Sequence, residues 1–366
     1  MIFEKRFRQN KFFFIILFSI LYIKSNQIQI NNMKNLKNYI KDYVNENVNQ
    51  LAVWDIDDNI EDDNKESILD EVKHFLTTHY VMSVSKTFDM RDCKITLDKT
   101  INKYIVNCKY DVEVAGDHGH KDVTQLTNGM FEWGKVNGCF DCRDCVNLTS
   151  LEGAPKEVGW FRCSGCPKLE SLKGAPTVVK GDFDCSACSI TSLEGAPTVV
   201  KGDFCCSNRT SLTSLKGAPS EVGGDFRCSD CVNLTSLKGA PTVVKGDFWC
   251  DDCTSLTSLQ GAPTVVKGDF RCSDCVNLTS LKGVPSEIKK NFYCDGCGMK
   301  NLEGAPKTVG RNFNCYYCPK LTSLKGAPEY VGGDFDYAEC PKLKSTKDIG
   351  KVKGRVISKI DKPSWI

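Results

Sequence analysis

Residues 226–247 read FRCSDCVNLTSLKGAPTVVKGD, and close variants of that string fill the chain from residue 140 to residue 341. Phenylalanines recur every 21 or 22 residues, at Phe140, Phe161, Phe183, Phe204, Phe226, Phe248, Phe270, Phe292, Phe313 and Phe335. Two positions after each stands a cysteine, from Cys142 to Cys315, with Tyr337 in the tenth unit. Three positions further on stands a second, from Cys145 to Cys340, with Arg209 in the fourth unit. A fixed period of this length predicts a stacked solenoid, because one unit cannot bury its apolar face alone. Within a unit, Gly174-Ala175-Pro176 breaks any helix and sets a bend. The V-x-G-D-F-x-C stretch alternates, which directs Val179, Phe183 and Cys185 inward and Asp182 and Asp184 outward. Leu234-Thr235-Ser236-Leu237 supplies a second apolar edge. The expected fold class is a repeat β-solenoid of about ten coils preceded by a small α+β domain.

The unit F-x-C-S-x-C-x-x-L-T-S-L resembles the L-x-L-x-x-N-x-L-T-x-L core of leucine-rich repeats, with phenylalanine and cysteine at leucine positions. Its second cysteine falls on the ladder position, usually Asn or Cys in that family. The fuller string, Leu148-Thr149-Ser150-Leu151-Glu152-Gly153-Ala154-Pro155 through Phe161, resembles repeat proteins of bacteriophages and gut bacteria, most of them without an assigned function. Met130-Phe131-Glu132-Trp133-Gly134 is similar to the lead-in to their first repeat. The G-A-P bend and the lack of a helix depart from the leucine-rich pattern and leave the curvature open. The resemblance implies a non-enzymatic recognition or protein-interaction module. Two alternatives stand beside it, a structural or virion-associated phage protein and a Cys-rich zinc-binding or thiol-redox protein. The first draws on Met33-Lys34-Asn35-Leu36, weakly similar to phage proteins packaged in capsids. No nucleophile–base pair, phosphate loop or zinc-protease motif occurs in residues 33–130, so the chain is not expected to be an enzyme.

Twenty-two cysteines accompany four histidines, and all the histidines (His74, His79, His118, His120) precede residue 121. The eight C-x-x-C pairs admit three readings: a column of thiols packed as small apolar residues, metal shared between coils, or inter-coil disulfides. The metal reading places its ligands at sets such as Cys228, Cys231, Cys250 and Cys253. Since Arg209 and Tyr337 each replace one member of a pair without breaking the repeat, packing is the expectation, with no cofactor. Cys205 stands at an outward position and is the expected reactive thiol.

Comparing the coils separates scaffold from surface. The position after each Phe is outward and variable; this face reads either as a solvated salt-bridge lattice or as a binding face, with Arg162, Arg227, Trp249, Arg271 and Tyr293 as the candidate strip. Arginine and large aromatics are the residues that anchor interfaces, so the partner is expected to be a protein or a glycan. An aspartate row before the Phe (Asp182, Asp203, Asp225, Asp247, Asp269) must be neutralised, because neighbouring carboxylates repel.

The net charge of +2 excludes a strongly basic nucleic-acid binder. Domains are expected at 1–32 (a signal-like or spurious extension), 33–122 (small α+β), 123–341 (solenoid) and 342–366 (a basic C-terminal cap). The apolar run Phe12 to Ile23 is too short to span a bilayer. A start at Met33 implies cytoplasmic (host-cell) or virion placement, and a true signal implies secretion or membrane anchoring. In the small domain, Asn64 opens a helix with Ile68, Leu69, Val72, Phe75 and Leu76 inward, followed by strands over 80–84, 94–98 and 103–114. Asp117, His118, His120 and Asp122 read as a surface loop rather than a metal site.

Overall fold

In each repeat the chain makes two very short strands, and each finds its partner only in the next repeat. The computed structural model describes residues 63–81, 93–98, 100–114, 123–127, 129 and 131–358. The expectations for residues 1–62, the loop with His118 and His120, and the tail beyond Ser358 lie outside the described residues. Helix α1 (Asp63–His79) buries Leu69, Val72 and Leu76, while Ile68 is exposed. It leads into β1 (Tyr80–Val81), followed by β2 (Cys93–Asp98), β3 (Lys103–Cys108) and β4 (Val112–Val114). β2 and β3 form an antiparallel pair in which Cys93 faces Cys108 and is disulfide-bonded to it. This was not among the pairings expected for the cysteines, which lay between coils.

β5 (Phe131–Asp141) carries the first repeat phenylalanine, and both β3 and β4 pair with it in parallel. The small unit therefore shares a sheet with the repeats. Its aromatic residues close the first coil: Trp133 packs on Phe140 at 5.5 Å and on Tyr80 at 5.1 Å. The Tyr80 hydroxyl donates to the Leu126 carbonyl at 2.5 Å, and burial pushes its pKa well above the ordinary phenol value.

From β6 (Glu157–Arg162) onward the strands alternate between two types. The valine strands are β7 (Val178–Val179), β9 (Val199–Val200), β11 (Glu221–Val222), β13 (Val243–Val244), β15 (Val265–Val266), β17 (Glu287–Ile288), β19 (Thr308–Val309), β21 (Tyr330–Val331) and β23 (Lys351–Val352). The phenylalanine strands are β8 (Phe183–Asp184), β10 (Phe204–Cys205), β12 (Phe226–Arg227), β14 (Phe248–Trp249), β16 (Phe270–Arg271), β18 (Phe292–Tyr293), β20 (Phe313–Asn314), β22 (Phe335–Asp336) and β24 (Val356–Ile357). Every pairing among them is parallel and in register, Phe on Phe from β8 to β22 and valine strand on valine strand. This is a parallel β-solenoid, numbered here from coil 1 (Phe140) to coil 10 (Phe335). Residues 342–358 add an eleventh turn in which Val356 takes the Phe position and is 45% exposed, where Phe335 is fully buried.

Identical residues stack into columns because the register repeats. The ten phenylalanines are fully buried, with successive ring centroids 5.0 to 5.8 Å apart. Offset contact between rings at such distances is favourable beyond the burial itself. The leucines of L-T-S-L form two further columns, also fully buried. Gly239 of one G-A-P bend has φ +90°, and a Cβ there would meet the Lys216 amide nitrogen at 2.6 Å, so only glycine fits. Asp230, between the two cysteines of its coil, has φ 58°, a conformation that Asp and Asn tolerate better than most residues.

The aspartate row belongs to the scaffold. Asp182 Oδ1 accepts the Asp203 amide at 2.8 Å, and Asp203, Asp225 and Asp247 do the same for the next coil. Asn291 and Asn312 replace Asp in coils 8 and 9 and keep the bond through their side-chain oxygen. An amide oxygen therefore suffices, and the charge is dispensable.

Two outcomes follow for urea unfolding. Phe248→Ala is expected to cost about 3–5 kcal/mol, the usual penalty for emptying a buried ring site. Asp182→Ala is expected to cost about 1–3 kcal/mol by orphaning the Asp203 amide, while Asp182→Asn stays within about 0.5 kcal/mol of the parent.

Candidate functional site

The outward strip is built by strand register. Because β12, β14, β16 and β18 pair in parallel, Arg227, Trp249, Arg271 and Tyr293 stand directly opposite one another on successive coils. The Arg227 guanidinium lies over the Trp249 ring at 5.0 Å, Arg271 covers the same ring at 5.1 Å, and Arg271 also covers Tyr293 at 4.8 Å. Four residues thus form one alternating cation–aromatic stack, each contact favourable through the ring quadrupole. Arg162, the fifth expected member, is not part of it. Asp184 and Cys205 stand between Arg162 and Arg227 on the same strand face.

Carboxylates hold the stack from both sides. Arg227 Nη2 meets Asp225 Oδ2 at 2.7 Å and Asp203 Oδ2 at 3.3 Å, and Arg271 Nε meets Asp251 Oδ2 at 3.2 Å. Burial raises the Asp251 pKa, opposed by the Ser273 amide and Arg271, and Asp251 Oδ1 accepts that amide at 2.8 Å. Three buried polar atoms at the centre of this region have no partner among the described residues: Arg227 Nε, Trp249 Nε1 and Ser229 Oγ. Unmade hydrogen bonds of this kind carry a penalty, and their clustering marks coils 5 and 6 as unlike the rest of the scaffold.

The cysteines form a column of their own. From coil 2 onward the second thiol of a pair donates to the carbonyl of the first cysteine one coil earlier, as in Cys188 to Cys163 at 3.0 Å, Cys253 to Cys228 at 3.2 Å and Cys297 to Cys272 at 3.0 Å, and the lone Cys340 does the same to Cys315 at 3.3 Å. Twenty cysteines are free, and no inter-coil disulfide is present among the described residues. Of the set expected as the metal alternative, Cys231 Sγ turns to the Cys206 carbonyl, Cys253 to that of Cys228 and Cys250 to that of Arg271. Among the described residues no three His, Cys, Asp or Glu side chains converge on a point that could hold a metal ion.

Arg209 replaces the second cysteine of coil 4 and is buried to 1% exposure. Its Nε donates to its own coil's Cys206 carbonyl at 3.0 Å and its Nη1 to Cys188 at 3.5 Å, while Nη2 has no partner among the described residues. The exposed Trp160, which covers Gly181, is a surface aromatic that the repeat comparison passed over, because it stands in the aspartate column.

Cys205 is not primed for reaction. Its pKa is pushed up to about 12, first by burial and then by Asp184, against the lowering effect of Arg227. Cys340 shifts the other way, lowered by a hydrogen bond from Cys318.

No family model matches the sequence. No curated protein sequence matches it either. Among solved structures it is similar to a leucine-rich repeat protein from Bacteroides ovatus, at 16% identity over 73% of this chain and 78% of that one, with a TM-score of 0.35. A superposition that loose carries no argument, and the solenoid stands on its own strand register. Among the described residues, no helix is long and apolar enough to cross a membrane.

Thiolate is the reactive form, so the half-buried thiols should order themselves by pKa. In native protein treated with iodoacetamide at pH 7, Cys340 is expected to be carboxamidomethylated before Cys205 and Cys139. The Cys205 rate should keep climbing about tenfold per pH unit through pH 10, because its folded pKa lies well above that. Peptide mass mapping reads both, and early saturation at Cys205 would contradict the assignment.

Proposed function

We propose that this protein is a non-enzymatic recognition module that binds a protein partner along the outward face of coils 5 to 8. The observation that supports the reading is the Arg227–Trp249–Arg271–Tyr293 stack. Elsewhere on this face the same position holds Asp, Asn, Cys or an isolated Arg. A stack held by a β-ladder and by flanking carboxylates loses little side-chain freedom on binding, the condition under which aromatic and arginine anchors contribute most.

A protein fits better than a glycan. Sugar recognition by an aromatic residue needs an open ring face, and guanidinium groups cover both faces of Trp249. What the strip offers is ring edges within an acidic field. Asp203, Asp225, Asp247, Asp269, Asp251 and Asp295 outnumber Arg227, Arg271 and Lys290, so the contacting surface of the partner is basic. The repeat string supports placing the chain with the bacteriophage and gut-bacterial repeat proteins it resembles.

A displayed-peptide library selected on the full chain tests this. Selected binders are expected to be enriched in Lys and Arg and to weaken with added salt. The double variant Trp249→Ala, Tyr293→Ala should bind them at least tenfold more weakly, with its melting temperature held within a few degrees. Undiminished affinity in that variant rejects the strip as the binding face.

A further inference from the structure

The stack of valine strands is interrupted once among the described residues. β7 through β15 pair in succession, and so do β17, β19, β21 and β23, but β15 and β17 are not paired. One coil earlier, Thr264, Lys267 and Gly268 donate their amides to Thr242, Val244 and Gly246 at 2.8 to 3.0 Å. One coil later, Lys307, Gly310 and Arg311 donate to Ser286, Ile288 and Lys290 at 2.8 to 2.9 Å. Between coils 7 and 8 the equivalent bonds are missing, so the Ser286, Lys289 and Lys290 amides do not reach the Thr264, Val266 and Gly268 carbonyls. The phenylalanine strands stay closed across the same step: Phe270 pairs with Phe292, and Asp269 still accepts the Asn291 amide at 2.9 Å. The opening is a wedge, shut along one strand type and parted along the other.

The repeat explains why it parts there. The position before the aspartate column is glycine in coils 3 to 7, and a Cβ on Gly268 would come within 2.0 Å of Asp247 Oδ1 and 2.6 Å of the Gly246 carbonyl carbon. Coil 8 places Lys290 at this position. Its Cβ needs room that a glycine-packed coil does not leave, and its Nζ reaches back over Gly268 to Asp247 at 3.8 Å. In coil 9, Arg311 stacks on another residue with a side chain, and the ladder resumes.

The parted strands line an open cleft of about 510 Å³, with Val265, Val266 and Lys267 on one wall and Pro285, Glu287 and Lys289 on the other. The volume lies within the roughly 300–1,000 Å³ of ligand-binding clefts. Among the described residues, one wall presents carbonyls and the other amides without a backbone partner, which is the complement of an extended backbone. Lys289 is engaged by Glu287 and Lys290 by Asp247, so Lys267 is the cation of this rim without an ion pair among the described residues.

We propose that the cleft between coils 7 and 8 binds a short extended peptide bearing an acidic side chain, by strand addition. The peptide N–H groups bond the Thr264, Val266 and Gly268 carbonyls, its carbonyls accept the Ser286, Lys289 and Lys290 amides, and its carboxylate meets Lys267. Main-chain pairing supplies the affinity and the side-chain position the preference. This site is separate from the cation–aromatic strip and selects the opposite charge.

The probe is a fluorescein-labelled, amidated peptide, Thr-Glu-Val-Glu-Thr, added to the full chain and followed by anisotropy and by hydrogen exchange of the 286–290 amides. The parent protein is expected to bind it and to slow exchange at those amides. Lys290→Gly, which restores the repeat consensus, should slow their exchange without peptide, melt no lower than the parent, and bind at least tenfold more weakly. The same peptide methylated on alternate backbone nitrogens should not bind, while Trp249→Ala should bind the unmodified peptide as the parent does. No slowing at millimolar peptide, equal affinity for Lys290→Gly or for the methylated peptide, or loss of binding in Trp249→Ala would each overturn the proposal.

Discussion

A coil of about 22 residues has no interior of its own, so each buried group must be matched by its counterpart one coil away. That constraint governs the molecule. Parallel pairing in strict Phe-on-Phe register sets it, and every column obeys it: rings on rings, leucines on leucines, thiols on carbonyls, carboxylates on amides. Tolerance is correspondingly narrow along a column and wide across the surface. Glycine is required where one backbone crosses close to the next, as at Gly239, whereas outward positions vary freely from coil to coil.

Residues that look like chemistry are absorbed by this matching. The C-x-x-C pairs have the spacing of a metal site, but their second sulfurs are spent on backbone carbonyls, which suits cysteine as a small buried residue with a weak donor. The aspartates likewise serve as backbone acceptors, and Asn291 and Asn312 do so without charge. Arg209 is the costly exception, a guanidinium in the thiol column with one nitrogen unpartnered among the described residues. Nothing in the structure explains why the chain keeps it.

Both proposed binding sites lie where the columns are broken. The aromatic and arginine residues of coils 5 to 8 interrupt a face otherwise dominated by small polar and acidic residues, and the register converts them into one stack. Lys290 interrupts the glycine column, and the valine strands part beside it. Both departures fall on neighbouring coils.

The period of 21 or 22 residues was enough to read the solenoid, its strand alternation, the inward Phe, Val, Leu and Cys columns and the outward strip, because a repeat states each rule ten times over. Four of the five strip residues could be read in the same way, since residues at one repeat position must become neighbours. Other features depend on geometry between coils, which no single repeat contains. Trp249 has a guanidinium on each side, the second thiol of a pair reaches a carbonyl of the preceding coil, and Cys205 is held protonated by its surroundings. The break at Lys290 was visible as a lost glycine, but its consequence came from the close packing of the intact coils, where a Cβ on Gly268 would lie only 2.0 Å from the neighbouring aspartate oxygen. Sequence determined which residues stack; tertiary structure decided what each stacked group has left to offer, because that is set by contacts across coils, from hydrogen bonds near 3 Å to ring contacts near 5 Å.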